Sequence, residues 1–331
     1  MLFRRETLDR LKEMAIVIEK ANPKECRLEI VHKANKIQVL EHRLLRRNSV
    51  SVESMAERTS EQVNSGASII QTGFPFINSR LRGLTRRQVS SLLAMPGHMK
   101  SSFTDCLLSR TVEFNPVKAL IISLEDPTEE RVKRIVSSRL NLSLKDMRFG
   151  KVKLSAKDIE RVFKVHLNSR LTIYDTRDVL TPDDAVAAIN DVKADLVLID
   201  HIQEFDMPDM VIGLIRAVRS LKAAASRNNC HILITSQVPD KQFGNREKKD
   251  PTPADAQWTS ALRQASSEMF SLRYPHQDTH NEFDAYMLNF NIIKSRYADA
   301  VSRMTLEINP DQANIIREIP KDGSTSTTNH S

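Results

Sequence analysis

The sequence predicts an α/β fold in which a mostly parallel sheet carries helices on both faces and continues into an antiparallel extension. Short apolar runs alternate with amphipathic stretches from Ile69 onward, which is typical of parallel strands joined by helices. A strand, a loop and a helix follow one another around Lys100 in the order of a phosphate-binding loop. Polar residues directly follow several apolar runs, where open parallel sheets bind their ligands.

The spacing of apolar residues assigns the individual elements. Near-continuous apolar runs predict buried parallel strands at residues 89–93, 119–124, 171–174, 196–199 and 231–235. Amphipathic periodicity predicts helices at residues 103–111, 128–140, 158–167, 181–192 and 210–228. Four later strand segments follow without long helices between them and predict the antiparallel extension: residues 269–272, 286–293, 304–308 and 313–319.

The chain consists of three parts that differ in composition. Residues 1–68 show helical spacing of apolar residues and no strand signal, so we expect a small helical N-terminal region that ends in a polar linker. Residues 69–320 form the predicted α/β domain. Residues 321–331 are rich in Ser and Thr and are expected to be disordered.

Composition limits the location and the partners of the protein. No apolar run approaches the roughly 20 residues of a membrane span. Residues 1–6 lack the apolar stretch of a secretory signal, so a cytoplasmic location without a membrane partner is expected. Cys26, Cys106 and Cys230 lie far apart without metal-ligand spacing, which predicts reduced thiols. The net charge of +7 is compatible with a polyanionic partner but does not require one.

The loop after the strand at 89–93 is the most informative segment. In a phosphate loop the lysine contacts the β- and γ-phosphates, and the following hydroxyl holds Mg²⁺, as Lys100 and Ser101 would here. The usual pattern has two glycines, but Ala94 and Met99 stand at those positions. Alone, the segment fits either a variant phosphate loop or a surface turn before a helix. The residues predicted to surround the phosphates are Ala94, Pro96, Gly97, His98, Met99, Lys100, Ser101 and Ser102.

Polar residues at three further strand ends favour the phosphate-loop interpretation. Glu125, Asp200 and Gln237 lie at or just beyond the ends of the strands at 119–124, 196–199 and 231–235. An acid after four apolar residues is the usual place for an aspartate associated with Mg²⁺, which fits Asp200. A single strand-end acid is more often a helix cap, but several convergent ends together favour a nucleotide site.

In this order the motifs resemble the RecA-like motor domain of DnaB-type replicative hexameric helicases. The resemblance covers residues 70–319 and implies a RecA-like P-loop NTPase core. The family's loop, Ala-x-Pro-x-x-Gly-Lys-Ser/Thr, itself starts with alanine. The short matches follow the family's order at residues 72–75, 83–84, 94–101, 123–125, 199–203, 219–223, 236–237 and 294–296.

The resemblance implies a role for each catalytic candidate, with ATP and Mg²⁺ as cofactors. Glu125 would polarise the attacking water, and Asp200 would hold Mg²⁺ through its water shell together with Ser101. Gln237 would sense the γ-phosphate and relay its loss to the loop that follows. Lys294 and Arg296 match the family's Lys-x-Arg and would act in the site of an adjacent subunit, as an arginine finger does. Their alternative role is a pair of solvated strand charges.

The polar loop after the strand at 231–235 is the candidate interface with single-stranded DNA. Its cations would follow a phosphate backbone without sequence preference. A solvated surface loop is the alternative. The predicted DNA-binding residues are Lys241, Arg246, Lys248 and Lys249.

The resemblance implies an ATP-dependent replicative helicase that translocates on single-stranded DNA as a homo-oligomer, with a hexamer as the expected state and a helicase loader or other replisome proteins as partners. The helical stripe at residues 30–45 is a candidate for docking on the adjacent subunit, and packing on its own domain is an equal alternative. The family's larger domain that contacts primase has no obvious counterpart in residues 1–68. A compact chain of this kind fits a phage-encoded protein, which would work in the host cytoplasm.

Two other functions stay open at this point. A recombinase-like ATPase of the same fold would form filaments on DNA. Because Met99 replaces the loop glycine, a catalytically weak DNA-binding or helicase-assembly subunit is the other alternative. His201, which stands beside the metal aspartate in place of the family's tyrosine, is a second departure from the pattern.

Overall fold

The computed structural model describes residues 68–239, 250–255, 260–296 and 302–319, together with positions 56, 59 and 60. The chain divides into two compact units, Met1–Ala67 and Ser68–Ser331. The first is described only at those three single positions, which are helical. The expected N-terminal helical stripes and C-terminal tail therefore lie outside the described residues. The second unit contains all the strands and helices given below.

Eleven strands occur within the described ranges, nine of them in one sheet. The sheet order is β11-β10-β9-β8-β3-β7-β6-β4-β5, and β1 pairs with β2 as a separate antiparallel ribbon. The strands are β1 Ile69–Ile70, β2 Leu84–Thr85, β3 Val89–Ala94, β4 Ala119–Ser123, β5 Leu171–Asp175, β6 Leu196–Asp200, β7 His231–Gln237, β8 Glu268–Arg273, β9 Met287–Ser295, β10 Ser302–Asn309 and β11 Asn314–Ile319.

The helices of this unit connect the strands in the predicted alternation. They are α1 Pro75–Leu81, α2 Lys100–Phe114, α3 Thr128–Leu140, α4 Leu144–Arg148, α5 Ala156–Leu167, α6 Pro182–Val192, α7 Met210–Asn228, α8 Ser260–Ala265 and α9 His276–Thr279. None of the described helices is long and apolar enough to span a membrane.

The sheet is covered on both faces because alternate strand residues contact two different apolar cores. Ile121 of β4 packs in the core that contains Phe103 of α2, whereas the next residue, Ile122, packs in the core that contains Leu221 of α7. The strands of the parallel part are therefore apolar along most of their length. The predicted α/β fold, with helices on both faces of a mostly parallel sheet, is confirmed.

One strand direction differs from the expectation. The sequence pattern puts residues 269–272 in the antiparallel extension, but β8 runs parallel to β3, with Ser90 opposite Glu268 and Ala94 opposite Leu272. The antiparallel part starts one strand later, at the pairing of β8 with β9. The connection from β7 to β8 passes through α8 instead of a tight turn, so the chain returns in the same direction as β7.

The carboxyl ends of the central parallel strands meet at one edge of the sheet, which places the candidate site. Ser123 of β4 is opposite Asp200 of β6, and Ala94 of β3 is opposite Gln237 of β7. Helix α2 begins at Lys100, three residues before the expected start at Phe103, so the helix opens directly at the loop lysine. The edge therefore combines four strand ends with a helix N-terminus.

Candidate nucleotide site

The loop between β3 and α2 carries the predicted phosphate-binding residues in one tight turn. Ala94 ends β3, Pro96 and Gly97 are exposed at the tip of the loop, and His98 is buried beneath the tip. The last three of these residues, Lys100, Ser101 and Ser102, begin α2. No side chain caps the N-terminus of α2, and its first turn has no acidic residue. The positive end of the helix is thus open to an anion.

Met99 takes a backbone conformation that suits glycine. Its φ of 58° and ψ of 21° are left-handed helical, which costs a residue with a Cβ about 1–2 kcal/mol. Its side chain packs against the apolar core that contains Phe103. Met99 therefore adopts a conformation that glycine would adopt without this cost, and its thioether side chain has apolar contacts of its own.

The segment that follows β8 lies against this loop, a contact that no sequence motif indicates. The backbone N–H of Tyr274 donates to Nδ1 of the buried His98 at 2.9 Å. The side-chain amide of Gln277 lies close to Gly97, since a Cβ built on Gly97 would be 3.3 Å from the Gln277 amide nitrogen. Gly97 also has a φ of 77°. These contacts brace the tip of the loop from the side of β8.

Four of the predicted catalytic and metal-binding side chains converge around Lys100: those of Ser101, Glu125, Asp200 and Gln237. Its Nζ lies 3.1 Å from Oε2 of Glu125 and 3.1 Å from Oδ1 of Asp200. The hydroxyl of Ser101 donates to Oδ2 of Asp200 at 2.8 Å. Nε2 of Gln237 lies 3.4 Å from both carboxylate oxygens of Glu125. The four strand ends therefore bring together one cation, two acids, one hydroxyl and one amide.

Asp200 is fully buried and ionised. Burial alone would raise the pKa of its carboxyl, but Arg131 and Lys100 outweigh that effect and hold the pKa well below its usual range. The hydroxyl of Thr235 also donates to Oδ1. Neither Arg131 nor Thr235 is among the predicted site residues, although both contact the predicted aspartate.

His201, the second departure from the family pattern, lies beside the acid predicted to polarise water. The peptide bond between Asp200 and His201 is cis. Nε2 of His201 is 3.5 Å from Oε2 of Glu125 and 3.3 Å from Oε1 of Glu204. Burial, and then the charge of Lys100, lower the pKa of His201, which favours the neutral imidazole at neutral pH.

The donor set fits magnesium. Among the described residues, no group of three or more His, Cys, Asp or Glu side chains could hold a metal ion by itself. Ser101 and Asp200 offer oxygen ligands only, and a hard cation that takes its other ligands from phosphate and water suits such an open site. The residues present therefore fit a Mg²⁺ ion that arrives with a polyphosphate.

Lys294 and Arg296 lie at the other end of the parallel strands, level with the start of β3. Nζ of Lys294 donates to the backbone carbonyls of Arg263 and Ser266, and Nη2 of Arg296 donates to the carbonyl of Gln264 at 2.9 Å. These carbonyls precede β8, whose first residue, Glu268, is opposite Ser90 near the start of β3. Five residues of β3 separate that end from the phosphate loop, or about 15 Å. Neither side chain reaches the candidate nucleotide site of the same chain.

The cations at this far end influence one another. Burial lowers the pKa of Lys294, and the nearby Arg296 and Arg263 lower it further.

The predicted DNA-binding residues lie outside the described residues. Lys241, Arg246, Lys248 and Lys249 fall in the segment 240–249, between β7 and the short helical turn Pro253–Asp255. The structure shows only that this segment follows Gln237 at the same edge as the nucleotide site.

A family model for the DnaB-like helicase C terminal domain matches residues 69–314. The chain belongs to this family. The matched range includes all the described strands except most of β11, and the resemblance seen in the motifs is confirmed.

Curated members of the family are similar over part of their length. A replicative DNA helicase DnaB of Buchnera aphidicola subsp. Acyrthosiphon pisum is 23% identical over 211 residues, which are 60% of this chain and 45% of that protein. The replicative DNA helicase DnaB of Haemophilus influenzae is 22% identical over 233 residues, 65% of this chain and 50% of that protein. The chain spans about half the length of the curated relatives it matches.

Solved structures share the fold. One of them, an isolated ATPase domain, has a TM-score of 0.69 and 18% identity, covering 82% of this chain and 99% of its own. A DnaB-like replicative helicase, studied with its interactions with primase, has a TM-score of 0.74 and 17% identity, covering 95% of this chain and 76% of its own. The likeness places the described unit among RecA-like ATPase folds.

Proposed function

We propose that the protein is the ATP-driven motor of a replicative DNA helicase, which hydrolyses ATP with Mg²⁺, translocates on single-stranded DNA and separates the strands of a duplex. The observation that carries the proposal is the convergence of Lys100, Ser101, Glu125, Asp200 and Gln237 at one sheet edge, beside an open helix N-terminus. Each of these side chains is of the type that phosphoryl transfer requires at its position.

Lys100 has two states in this mechanism. Without nucleotide it neutralises Glu125 and Asp200, at 3.1 Å from each. The β- and γ-phosphates would draw its ammonium away from both acids. Glu125, whose side chain is 42% exposed, then becomes free to accept a hydrogen bond from the attacking water.

Ser101 and Asp200 would hold the magnesium side of the nucleotide. Ser101 now donates its hydroxyl proton to Asp200, and the same oxygen would turn its lone pair to the cation. When bound, Mg²⁺ would neutralise negative charge on the phosphates. Asp200, which stays ionised because of Arg131, would orient the water ligands of the ion.

Gln237 links the acid to the predicted DNA loop. Its side chain contacts Glu125, and its backbone is tied to the segment after β6 because Nε2 of Gln203 donates to the carbonyl of Gln237 at 3.0 Å and to Oγ of Ser236 at 2.7 Å. Loss of the γ-phosphate would free the Gln237 side chain. The change would pass to segment 240–249, where Lys241, Arg246, Lys248 and Lys249 would follow the DNA backbone.

Lys294 and Arg296 require a second copy of the chain. Since they lie about 15 Å of strand away from their own phosphate loop, they would neutralise transition-state charge only in an adjacent subunit. A ring, with a hexamer as the expected state, supplies each site with such a neighbour. The work would take place in the cytoplasm, with a loader or other replisome proteins as partners.

Lys100→Ala tests the proposal. We expect the variant to lose ATP hydrolysis, with and without single-stranded DNA, because neither the phosphates nor the acids keep their cation. Lys164→Ala, which removes an exposed lysine from α5, is the matched control and should hydrolyse ATP at the wild-type rate. Steady-state phosphate release is the measurement. Wild-type turnover in Lys100→Ala would contradict the site, and DNA binding without any turnover in the wild type would favour a non-catalytic subunit.

A further inference from the structure

The largest fully buried side chain among the described residues is a charged one, that of Arg131 of α3, whose exposed fraction is 0%. Arginine is almost never fully buried unless it is paired. Its three donor groups contact three different elements. Nε donates to Oγ of Ser123 at the end of β4 at 2.9 Å, Nη1 to Oδ1 of Asp105 on α2 at 2.7 Å, and Nη2 to Oδ2 of Asp200 at the end of β6.

The contacts of Arg131 continue as a chain of alternating charges. Oδ2 of Asp105 accepts from Nε of Arg134 at 2.7 Å, and Nη2 of Arg134 donates to Oδ2 of Asp126 at 2.7 Å. Asp126 directly follows Glu125 in the sequence. The chain therefore connects the buried aspartate of β6 with the loop that carries the acid of β4.

We propose that Arg131 is a positioning residue for the magnesium side of the nucleotide site: it fixes the carboxylate of Asp200 and, through Asp105 and Arg134, the loop that carries Glu125. The inference rests on the proposed function, because it assigns a task within that site. It adds a residue that contacts neither nucleotide nor metal.

The contacts of Asp200 explain why Arg131 matters once nucleotide is bound. Oδ2 accepts from Ser101 and Arg131, and Oδ1 accepts from Lys100 and Thr235. Ser101 and Lys100 belong to the phosphate loop and would turn to the cation and the phosphates. Arg131 and Thr235 do not belong to the loop, so they would go on holding the carboxylate in the loaded site. Thr235 is neutral, which makes Arg131 the charged anchor.

A purely structural role would predict a different behaviour. A buried ion pair is often no more stabilising than apolar residues of the same volume, because desolvation offsets the attraction. The guanidinium instead supplies a rigid fork with fixed donor directions. Loss of the fork should therefore affect the orientation of Asp200, and with it the affinity for Mg²⁺, beyond any effect on stability.

The test compares Arg131→Lys with Arg139→Lys in the full-length protein. Arg139 lies on the same helix, is nearly buried and pairs with Glu113 at 3.0 Å, away from Asp200. Both variants exchange a buried, paired arginine for lysine. The first readout is binding of a fluorescent ADP analogue during a Mg²⁺ titration, and the second is thermal unfolding without nucleotide.

We expect Arg131→Lys to raise the Mg²⁺ midpoint about tenfold or more, as is common when a residue that orients a metal ligand is changed. Binding measured without Mg²⁺ should stay at the wild-type level. Arg139→Lys should lower the unfolding temperature by a similar amount and leave the Mg²⁺ midpoint unchanged. An unchanged midpoint in Arg131→Lys, or equal changes in both variants, would overturn the inference.

Asp105→Asn decides the question if Arg131→Lys does not fold. This substitution keeps the side-chain volume and weakens the anchor of Arg131 without changing Asp200. A higher Mg²⁺ midpoint supports the inference, and the wild-type midpoint refutes it. If the wild type shows no Mg²⁺-dependent nucleotide binding, the proposed function fails and takes the inference with it. If the wild type binds with Mg²⁺ and the variants behave like it, the proposed function stands and the role of Arg131 is refuted.

Discussion

Replacement of His231 by glutamine should remove a large part of the pH dependence of folding. His231 begins β7 and is fully buried. Its Nδ1 lies 2.7 Å from the carbonyl oxygen of Thr85, and its Nε2 lies 2.7 Å from Oγ of Ser90. A carbonyl only accepts hydrogen bonds, so Nδ1 carries the proton, and Nε2 accepts from Ser90 in a neutral ring. Protonation of Nε2 would reverse the direction of that bond and place a positive charge in the core.

The size of the effect follows from the pKa. Burial lowers the pKa of His231 from 6.5 to about 4, although the bond to Thr85 acts in the opposite direction. Between these values the unfolded chain binds a proton that the folded chain does not, so stability is lost as pH falls from about 6.5 towards 4. From pH 7.5 to pH 5 the loss is about 2 kcal/mol, since a pKa difference of one between the folded and unfolded chain corresponds to about 1.4 kcal/mol.

Urea unfolding followed by circular dichroism at pH 7.5 and pH 5 measures the difference. We expect wild type to lose about 2 kcal/mol more than His231→Gln over this interval. His201, whose pKa is also lowered, is present in both proteins and cancels. His280→Gln removes an exposed imidazole and should retain the wild-type dependence. Equal losses in wild type and His231→Gln would refute the reasoning.

Two further predictions concern the nucleotide site. Glu125→Gln should lower ATP turnover by about 10²-fold or more while binding of a fluorescent ADP analogue stays at the wild-type level, and a variant that turns over normally would remove Glu125 from its role. Arg296→Ala should be inactive alone and so should Lys100→Ala, but an equal mixture should recover about one quarter of wild-type turnover, because random neighbours pair an intact loop with an intact arginine at that frequency. A mixture as inactive as its components would contradict action between subunits.

The parallel part of the fold is predictable from the sequence because its signals are local. An apolar run such as residues 196–199 has few options other than a buried strand, and carboxyl ends of parallel strands meet at one edge. The meeting of Glu125, Asp200 and Gln237 around Lys100 follows from that rule. The direction of β8 does not follow from it, because that direction depends on which strand Glu268–Arg273 pairs with, far away in sequence.

Features that depend on long-range contacts could not be predicted. Arg131 and Arg134 look like exposed helix charges in the sequence, and their burial depends on partners from other elements, among them Asp105 of α2. The bond from Tyr274 to His98 depends on the path of the chain after β8. For Met99 the sequence shows a missing glycine, whereas the backbone dihedrals show that Met99 itself takes the left-handed conformation that favours glycine.

The separation of Lys294 and Arg296 from Lys100 makes each subunit directional. In the proposed assembly, one end of the parallel strands would bind a triphosphate, and the cations at the other end would complete the site of a neighbouring subunit. An open assembly with head-to-tail contacts has two ends, so one nucleotide site lacks its neighbour's cations and one pair of cations has no site to complete. A closed ring has no such ends. A break at any single interface of a closed ring would therefore silence one site and leave the rest intact, so an opened ring would keep most of its capacity for hydrolysis.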